Sequence, residues 1–307
     1  MTLTAGVAAT HQAIIGDRMR LALDAELAAT VTGARAALAH PALVCDVAIG
    51  QSTIVTQRVK ANLFYRGLRF HRYPVIGDTL STRTEIVAMR ENSAKRGRAP
   101  TGLAALRMTT SDQAGRAVLD FYRCAMLPRR DSNPTSSHAD DLSAVGRDAG
   151  DAPDPVAQWD IDAYRTRVAP AGLGECAVGT ELISTADVVS NAAELARLTL
   201  NIAATHHDRR IGGRRLVYGG HTIGLALSQA TRLLPDLVTV LDWQSCDHTG
   251  PVFEGDTLYS TVFIENAAPR PGGRGDALSL RSLVFAVGID DQPERQVLDW
   301  RFTALSF

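Results

Sequence analysis

Residues 201–220, NIAATHHDRRIGGRRLVYGG, hold the side-chain types that acid–base chemistry needs. His206-His207-Asp208 stands at the centre of this stretch, and Asn201 precedes it. A histidine titrates near neutral pH, so His206 can accept a proton and give it back. Asn201 can orient a water by hydrogen bonding but cannot take its proton. Taken alone, the His-His-Asp run also has the look of a metal-binding cluster. Gly219 and Gly220 open an apolar run. Such a pair suits a tight turn, and it equally suits a helix start whose free N–H groups approach a carbonyl oxygen. Arg209, Arg210, Arg214 and Arg215 match phosphate geometry and suit a solvated loop as well.

Positioning such a stretch needs a scaffold, and the chain contains it twice. PVIGDTL at 74–80 recurs as PVFEGDTL at 251–258, and VLDF at 118–121 recurs as VLDW at 297–300. The order is the same and the offset nearly so, which points to duplication. Each copy opens with an alanine-rich helical segment (4–15 and 185–200) and a polar loop. A long apolar helix follows (40–52 and 218–234), then β-branched and aromatic strands broken at Gly, Pro and Asp. Asp78 and Asp256 each follow a glycine just ahead of a strand, such as the one expected over 79–87, which favours a turn role over a catalytic one. A strand is expected over 175–183. Its counterpart would precede Met1, so the first unit is expected to lack a strand or to begin further upstream. Between the copies, 129–158 is rich in Asp, Ser, Pro and Gly and reads as a linker crossing the surface.

The bulk properties exclude several classes. The chain has 307 residues, 45% of them hydrophobic, and a net charge of −1. Nothing favours nucleic acid or an anionic membrane as partner. Cys45, Cys124, Cys176 and Cys246 form no CxxC pair, which argues against a metal site or disulfide framework and for reduced thiols in a cytoplasmic protein. The N-terminus does not read as a signal peptide. No apolar run approaches the roughly 20 residues of a membrane helix. There is no GxGxxG or P-loop pattern.

These motifs resemble the MaoC-like (R)-specific enoyl-CoA hydratases in their duplicated, double-hotdog form. The resemblance implies an α+β fold, a double hotdog of two curved antiparallel sheets, each wrapped around a long central helix. The boundaries it suggests are 1–128, a linker at 129–158, and 159–307. The family motif is Gly-Asp-x-Asn-Pro-Ile-His-x-Asp, followed by His-Gly at the start of the central helix. In the second copy, 200–208 keeps the histidine as His206 and the trailing carboxylate as Asp208. Asn201 stands at the catalytic Asp, Ala203-Ala204 replace Asn-Pro, and Tyr218-Gly219 correspond to His-Gly. In the first copy, 16–24 keeps Gly16, Asp17 and Asp24 but has Ala22 for the histidine. Asp17 is then expected to be a loop carboxylate or helix-end hydrogen bonder. His40, aligned with Tyr218, is expected to pack or cap.

The function implied is hydration or dehydration of 2-enoyl- and 3-hydroxyacyl-CoA thioesters, with His206 and Asn201 as the catalytic pair. Gly219, Gly220, Tyr218, Asp208, Arg209 and Arg210 are expected at the substrate. No metal is expected, and no cofactor beyond the coenzyme A of the substrate. The acyl group is left as fatty, short branched or dicarboxylic. Loss of one acid–base group costs roughly 10²–10⁴-fold in rate. The site is therefore weak, rebuilt around His207, Asp208, Tyr218 or His221, or used for binding alone. A non-catalytic acyl-CoA-binding protein and an acyl-CoA thioesterase are the alternatives. The arginine-rich loops at 95–98 and 270–274 carry the same ambiguity as that at 209–215. A monomer with an internal pseudo-dimer suffices, and a homodimer stays open.

Overall fold

Short polar side chains start the helices of the first half. Thr4 caps α1 (Ala5–Ile15) by accepting the Val7 N–H, and Asp24 caps α3 (Ala25–Thr32) by accepting that of Leu27. Between them lies the single turn α2 (Arg20–Leu23). The first central helix, α4 (Pro41–Ser52), places proline in its first turn, where a missing N–H costs nothing. Every residue of α4 except Gln51 is buried, as a helix enclosed by a sheet requires. In this computed structural model the described residues are 1–93, 96–97, 99–129, 138–147, 153–168, 177–211, 213–289 and 293–307.

Four strands follow in the first half: β1 (Ala61–Phe70), β2 (Ser81–Glu91), β3 (Thr101–Ser111) and β4 (Ala117–Pro128). The second half holds α5 (Ile161–Arg167), β5 (Glu181–Ile183), β6 (Asp187–Val188), α6 (Ala192–Leu198) and the second central helix α7 (Gly219–Leu233). Its long strands are β7 (Leu237–His248), β8 (Thr257–Pro269), β9 (Asp276–Val287) and β10 (Arg295–Ser306). The order β2-β3-β4-β1-β7-β10-β9-β8-β5 shows the duplication directly, because each half repeats the same four-strand arrangement. The two sheets are joined edge to edge through antiparallel β1 and β7 into one ten-stranded sheet. Pairing β1 with β7 removes the exposed edge each half would otherwise present.

The repeated turns superimpose in their chemistry. Asp78 accepts the Val75 N–H at 3.0 Å, and Asp256 accepts the Phe253 N–H at 2.9 Å. The preceding Gly77 and Gly255 hold φ of 105° and 92°, which other residues rarely adopt. Both aspartates are buried turn residues, as their place before a strand predicts.

Two segments differ from the sequence reading. The helix expected over 185–200 is confined to α6, because Asp187 and Val188 pair with β8 and Asn191 turns the chain with φ of 58°. Of the strand expected over 175–183 only β5 forms among the described residues, because 177–180 make a turn closed by the Thr180 N–H on the Ala177 carbonyl; 175–176, with Cys176, lie outside the described residues. In the stretch 129–158 the few apolar side chains are the anchored ones. Leu142 packs with Leu103, Ala105 and Cys124, and Val156 joins the main core. Residues 138–140 run along the β2 edge, where Glu91 donates to the His138 carbonyl and Asp140 to that of Met89. Residues 138–147 are thus fastened to the first half, whereas Asp154 and the Ala157 carbonyl take Arg270 and Arg274 of the second half. Among the described residues, no helix is long and apolar enough to cross a membrane.

Candidate active site

The loop carrying Asn201 is held against the C-terminal end of α4. Gly50 has no side chain there because the Thr199 carbonyl occupies the space a Cβ would need. Thr53 accepts the Ile202 N–H at 3.0 Å, and Ala204 donates to the Gln57 carbonyl at 3.0 Å. Residues of the first half therefore position the chemistry of the second. A cavity of about 290 Å³ opens at this seam. Tyr65, Asn62 and Arg123 line it from β1 and β4, and Asn201, His206, Tyr218, Gly219 and His248 line it from the second half.

Hydrogen bonds settle which atoms remain for a ligand. His206 Nδ1 lies 2.9 Å from the Leu216 carbonyl, which can only accept, so Nδ1 carries the proton. In the neutral ring Nε2 then holds the lone pair. Burial pushes the His206 imidazole down to about 4, so the neutral form prevails at pH 7. Asn201 Oδ1 accepts the Ala203 N–H at 3.0 Å, which leaves the amide NH₂ as a donor. His207 Nε2 lies 2.6 Å from the Asn201 carbonyl and braces the loop. The Tyr218 hydroxyl donates to the Asp46 carbonyl at 3.2 Å, and its ring lies 5.7 Å from that of His206.

The two glycines have different neighbours. Gly219 lines the cavity, whereas Gly220 does not and is pressed against Asp46 and the Tyr218 ring. As the first residue of α7, Gly219 offers a backbone N–H that no helical carbonyl can take. Asp208, Arg209 and Arg210 do not line the cavity either. Arg210 folds back on Asp208 with contacts of 2.7–2.9 Å and holds that carboxyl near 2. Arg209 and Arg210 are exposed. Arg215 pairs with Glu254 at 2.7 Å, and Arg214 lies over the Phe253 ring.

In the first copy Asp17 is saturated. It pairs with His40 at 2.9 Å, accepts the Met19 N–H at 2.7 Å and accepts from Thr231 at 3.3 Å. His40 also caps α4 through the Ala42 N–H. Both fulfil the loop and capping roles expected of them. His221 is wholly buried in α7, and neither ring nitrogen has a protein partner. Of the loops at 95–98 and 270–274, residues 95 and 98 lie outside the described residues. In the other loop Arg270 bonds Asp154.

Two cavity residues escape the motif-based reading. His248 packs against Gly219, its Nε2 is buried without a protein partner, and desolvation lowers the imidazole to about 4. The repeat held a signal for it, since His71 and His248 each stand three residues before the aligned Pro74 and Pro251. Arg123 is buried on β4 and donates to Thr56 at 2.6 Å. Its counterpart in the repeat is Phe302, and cross-strand partners agree: Tyr65 faces Arg123 as Trp243 faces Phe302. A charge replacing a core aromatic was the signal there. Among the described residues no Asp or Glu lines the cavity. Among the described residues, no group of three or more His, Cys, Asp or Glu side chains is arranged to hold a metal ion.

No family model matches the chain. It is 31% identical to the β-methylmalyl-CoA dehydratase of Chloroflexus aurantiacus, over 95% of this chain and 84% of that protein. Identity to the mesaconyl-CoA hydratase of Cereibacter sphaeroides is 27%, over 94% and 85% respectively. Among solved structures, a conserved Mycobacterium tuberculosis protein described as a double hotdog essential for bacterial survival during infection superimposes with a TM-score of 0.94. It is 64% identical over 100% of this chain and 93% of that one. A Chloroflexus aurantiacus protein of the MaoC-domain dehydratase class gives a TM-score of 0.80 at 27% identity, over 100% and 92%.

Proposed function

Because the chain belongs to the MaoC-like double-hotdog family of CoA-thioester hydratases and dehydratases, we propose that it adds water to a short 2-enoyl-CoA thioester, or removes it from the 3-hydroxyacyl product. The observation that carries this reading is the His206 hydrogen bond to the Leu216 carbonyl, which leaves Nε2 as the proton acceptor in a cavity shared with Asn201.

In the reading, the Asn201 amide donates to a water oxygen while that water donates to His206 Nε2. His206 takes the proton, the oxygen adds to the β-carbon, and a proton returns to the α-carbon. Protons and electrons balance, and the reverse sequence is dehydration. The Gly219 N–H at the start of α7 is the donor proposed for the thioester carbonyl, whose oxygen gains charge as the bond forms. Asp208, Arg209 and Arg210 are assigned no role at the reacting atoms, and coenzyme A enters only as part of the substrate. The cavity volume and the acyl groups named for the two relatives favour a short acyl group over a fatty one. A cytoplasmic monomer is part of this proposal. The free thiols of Cys45, Cys124 and Cys246 support the cytoplasm, and the β1–β7 seam within one chain supports the monomer.

Loss of the enoyl absorbance of a short trans-2-enoyl-CoA on adding the enzyme tests the reading. Tight binding without turnover would replace it with acyl-CoA binding alone, and release of free thiol would replace it with hydrolysis.

A further inference from the structure

We propose that Arg123 binds a carboxylate at the distal end of the acyl group, making this a site for dicarboxylic acyl-CoA thioesters. The proposal rests on the acyl-CoA reading of the cavity and adds the residue that selects the substrate.

Arg123 is 2% exposed, and its electrostatic neighbours among the described residues are Tyr65, Tyr218 and Cys124, with no carboxylate. One guanidinium N–H reaches Thr56, while Nε has no protein partner. A buried cation without an anion is costly, and proteins ordinarily pair such groups. Among the described residues the cavity supplies no anion of its own: its charged lining residues are Arg123 and Lys60, with no acidic side chain. The missing anion therefore has to arrive with the ligand.

The repeat shows that this charge is not a demand of the fold. The equivalent position of the second half carries Phe302, fully buried and stacked on Trp300 at 3.9 Å. The same strand geometry is thus satisfied by an aromatic ring where no ligand has to be met. Asn62, on the neighbouring strand β1, also lines the cavity, and neither of its amide atoms has a protein partner. Guanidinium and amide together suit a carboxylate, which accepts several hydrogen bonds and takes two from an arginine fork. A coenzyme A phosphate is the less suitable occupant. The cavity of about 290 Å³ holds a short acyl group rather than a nucleotide, and the Arg123 charge is felt at His206.

Succinyl-CoA and butyryl-CoA, which differ by a carboxylate in place of a methyl group, test this by titration calorimetry, with free coenzyme A as control. Succinyl-CoA is expected to bind the wild-type protein about ten- to a hundredfold more tightly. Arg123→Met should abolish that preference while leaving butyryl-CoA affinity within a few-fold, and Arg123→Lys should retain part of it. Butyryl-CoA or free coenzyme A binding the wild type as tightly as succinyl-CoA overturns the proposal without recourse to any variant. So does a preference that survives in a folded Arg123→Met protein. Turnover is scored separately with fumaryl-CoA and crotonyl-CoA. Hydration of neither, with the carboxylate preference in binding intact, would remove the hydratase reading and leave Arg123 in its role.

Discussion

His248 lies so close to Gly219 that a Cβ on the glycine would stand 2.7 Å from the imidazole Nε2. The contact joins the last residue of β7 to the first residue of α7, so the strand end sets the space around the helix N-terminus. Gly219→Ala is expected to displace one or the other. Overpacking of this kind costs about 1–3 kcal/mol. Loss of a donor to the developing oxyanion costs about 10²–10³-fold in kcat. Thermal melts and steady-state kinetics separate the two, and an unchanged kcat would remove the Gly219 N–H from the mechanism.

His206→Ala should lower kcat by roughly 10²–10⁴-fold with the fold intact by circular dichroism. Since burial holds this imidazole near 4, the acid limb of the wild-type rate profile is expected near pH 4–5, not near 6.5. An inflection at 6.5 would mean that another group is the base.

Asn201→Asp should raise kcat. One carboxylate oxygen can keep the Ala203 N–H now bound by Oδ1, and the other places a negative charge in the cavity. Such a charge raises the proton affinity of a nearby imidazole and offers water a second acceptor. A gain of about tenfold or more is within the range of one positioned acid–base group. A neutral or lower kcat would show a site rebuilt around different residues.

His206, His221 and His248 are each lowered by burial to about 4 from an ordinary 6.5. The unfolded chain thus binds more protons than the folded one between these values, and stability rises with pH across that window. Stability should be full above pH 6.5 and fall steadily towards pH 4 as the unfolded state gains protons. His221→Leu, away from the cavity lining, is expected to flatten the dependence of Tm on pH. A Tm unaffected by that substitution at pH 5 would contradict it.

Gly50→Ala should destabilise the protein by about 1–3 kcal/mol, because the new Cβ meets the backbone carbonyl of Thr199 rather than a movable side chain. The displaced loop carries Asn201, so activity should fall along with the melting temperature. Full activity in a destabilised variant would show that the loop position is not set by this contact.

Much of the architecture was legible in the chain. The Gly-Asp turns at 77–78 and 255–256, the two apolar central helices and the repeated strand sequences are local patterns, and two aligned copies reinforce each other. The helix expected over 185–200 failed for a tertiary reason, since β8 offers Asp187 and Val188 a ladder that their local sequence does not announce. Within the site, His206, Asn201, Tyr218 and Gly219 share the cavity, whereas Asp208 and Arg210 satisfy each other outside it.

The sequence by itself determined the duplication and the placing of His206 and Asn201 in one loop, because each rests on residues close together in the chain or on a repeat of them, and the resemblance of its motifs to a known family indicated the fold. Tertiary structure alone decided that Arg123 and His248 join that pair, and that Arg123 has no carboxylate partner among the described residues. The two halves meet through β1 and β7, so the cavity is lined by side chains more than a hundred positions apart. No local pattern records a contact made across that seam. That no carboxylate of the described residues reaches Arg123 is a property of the packed surroundings rather than of its sequence neighbours.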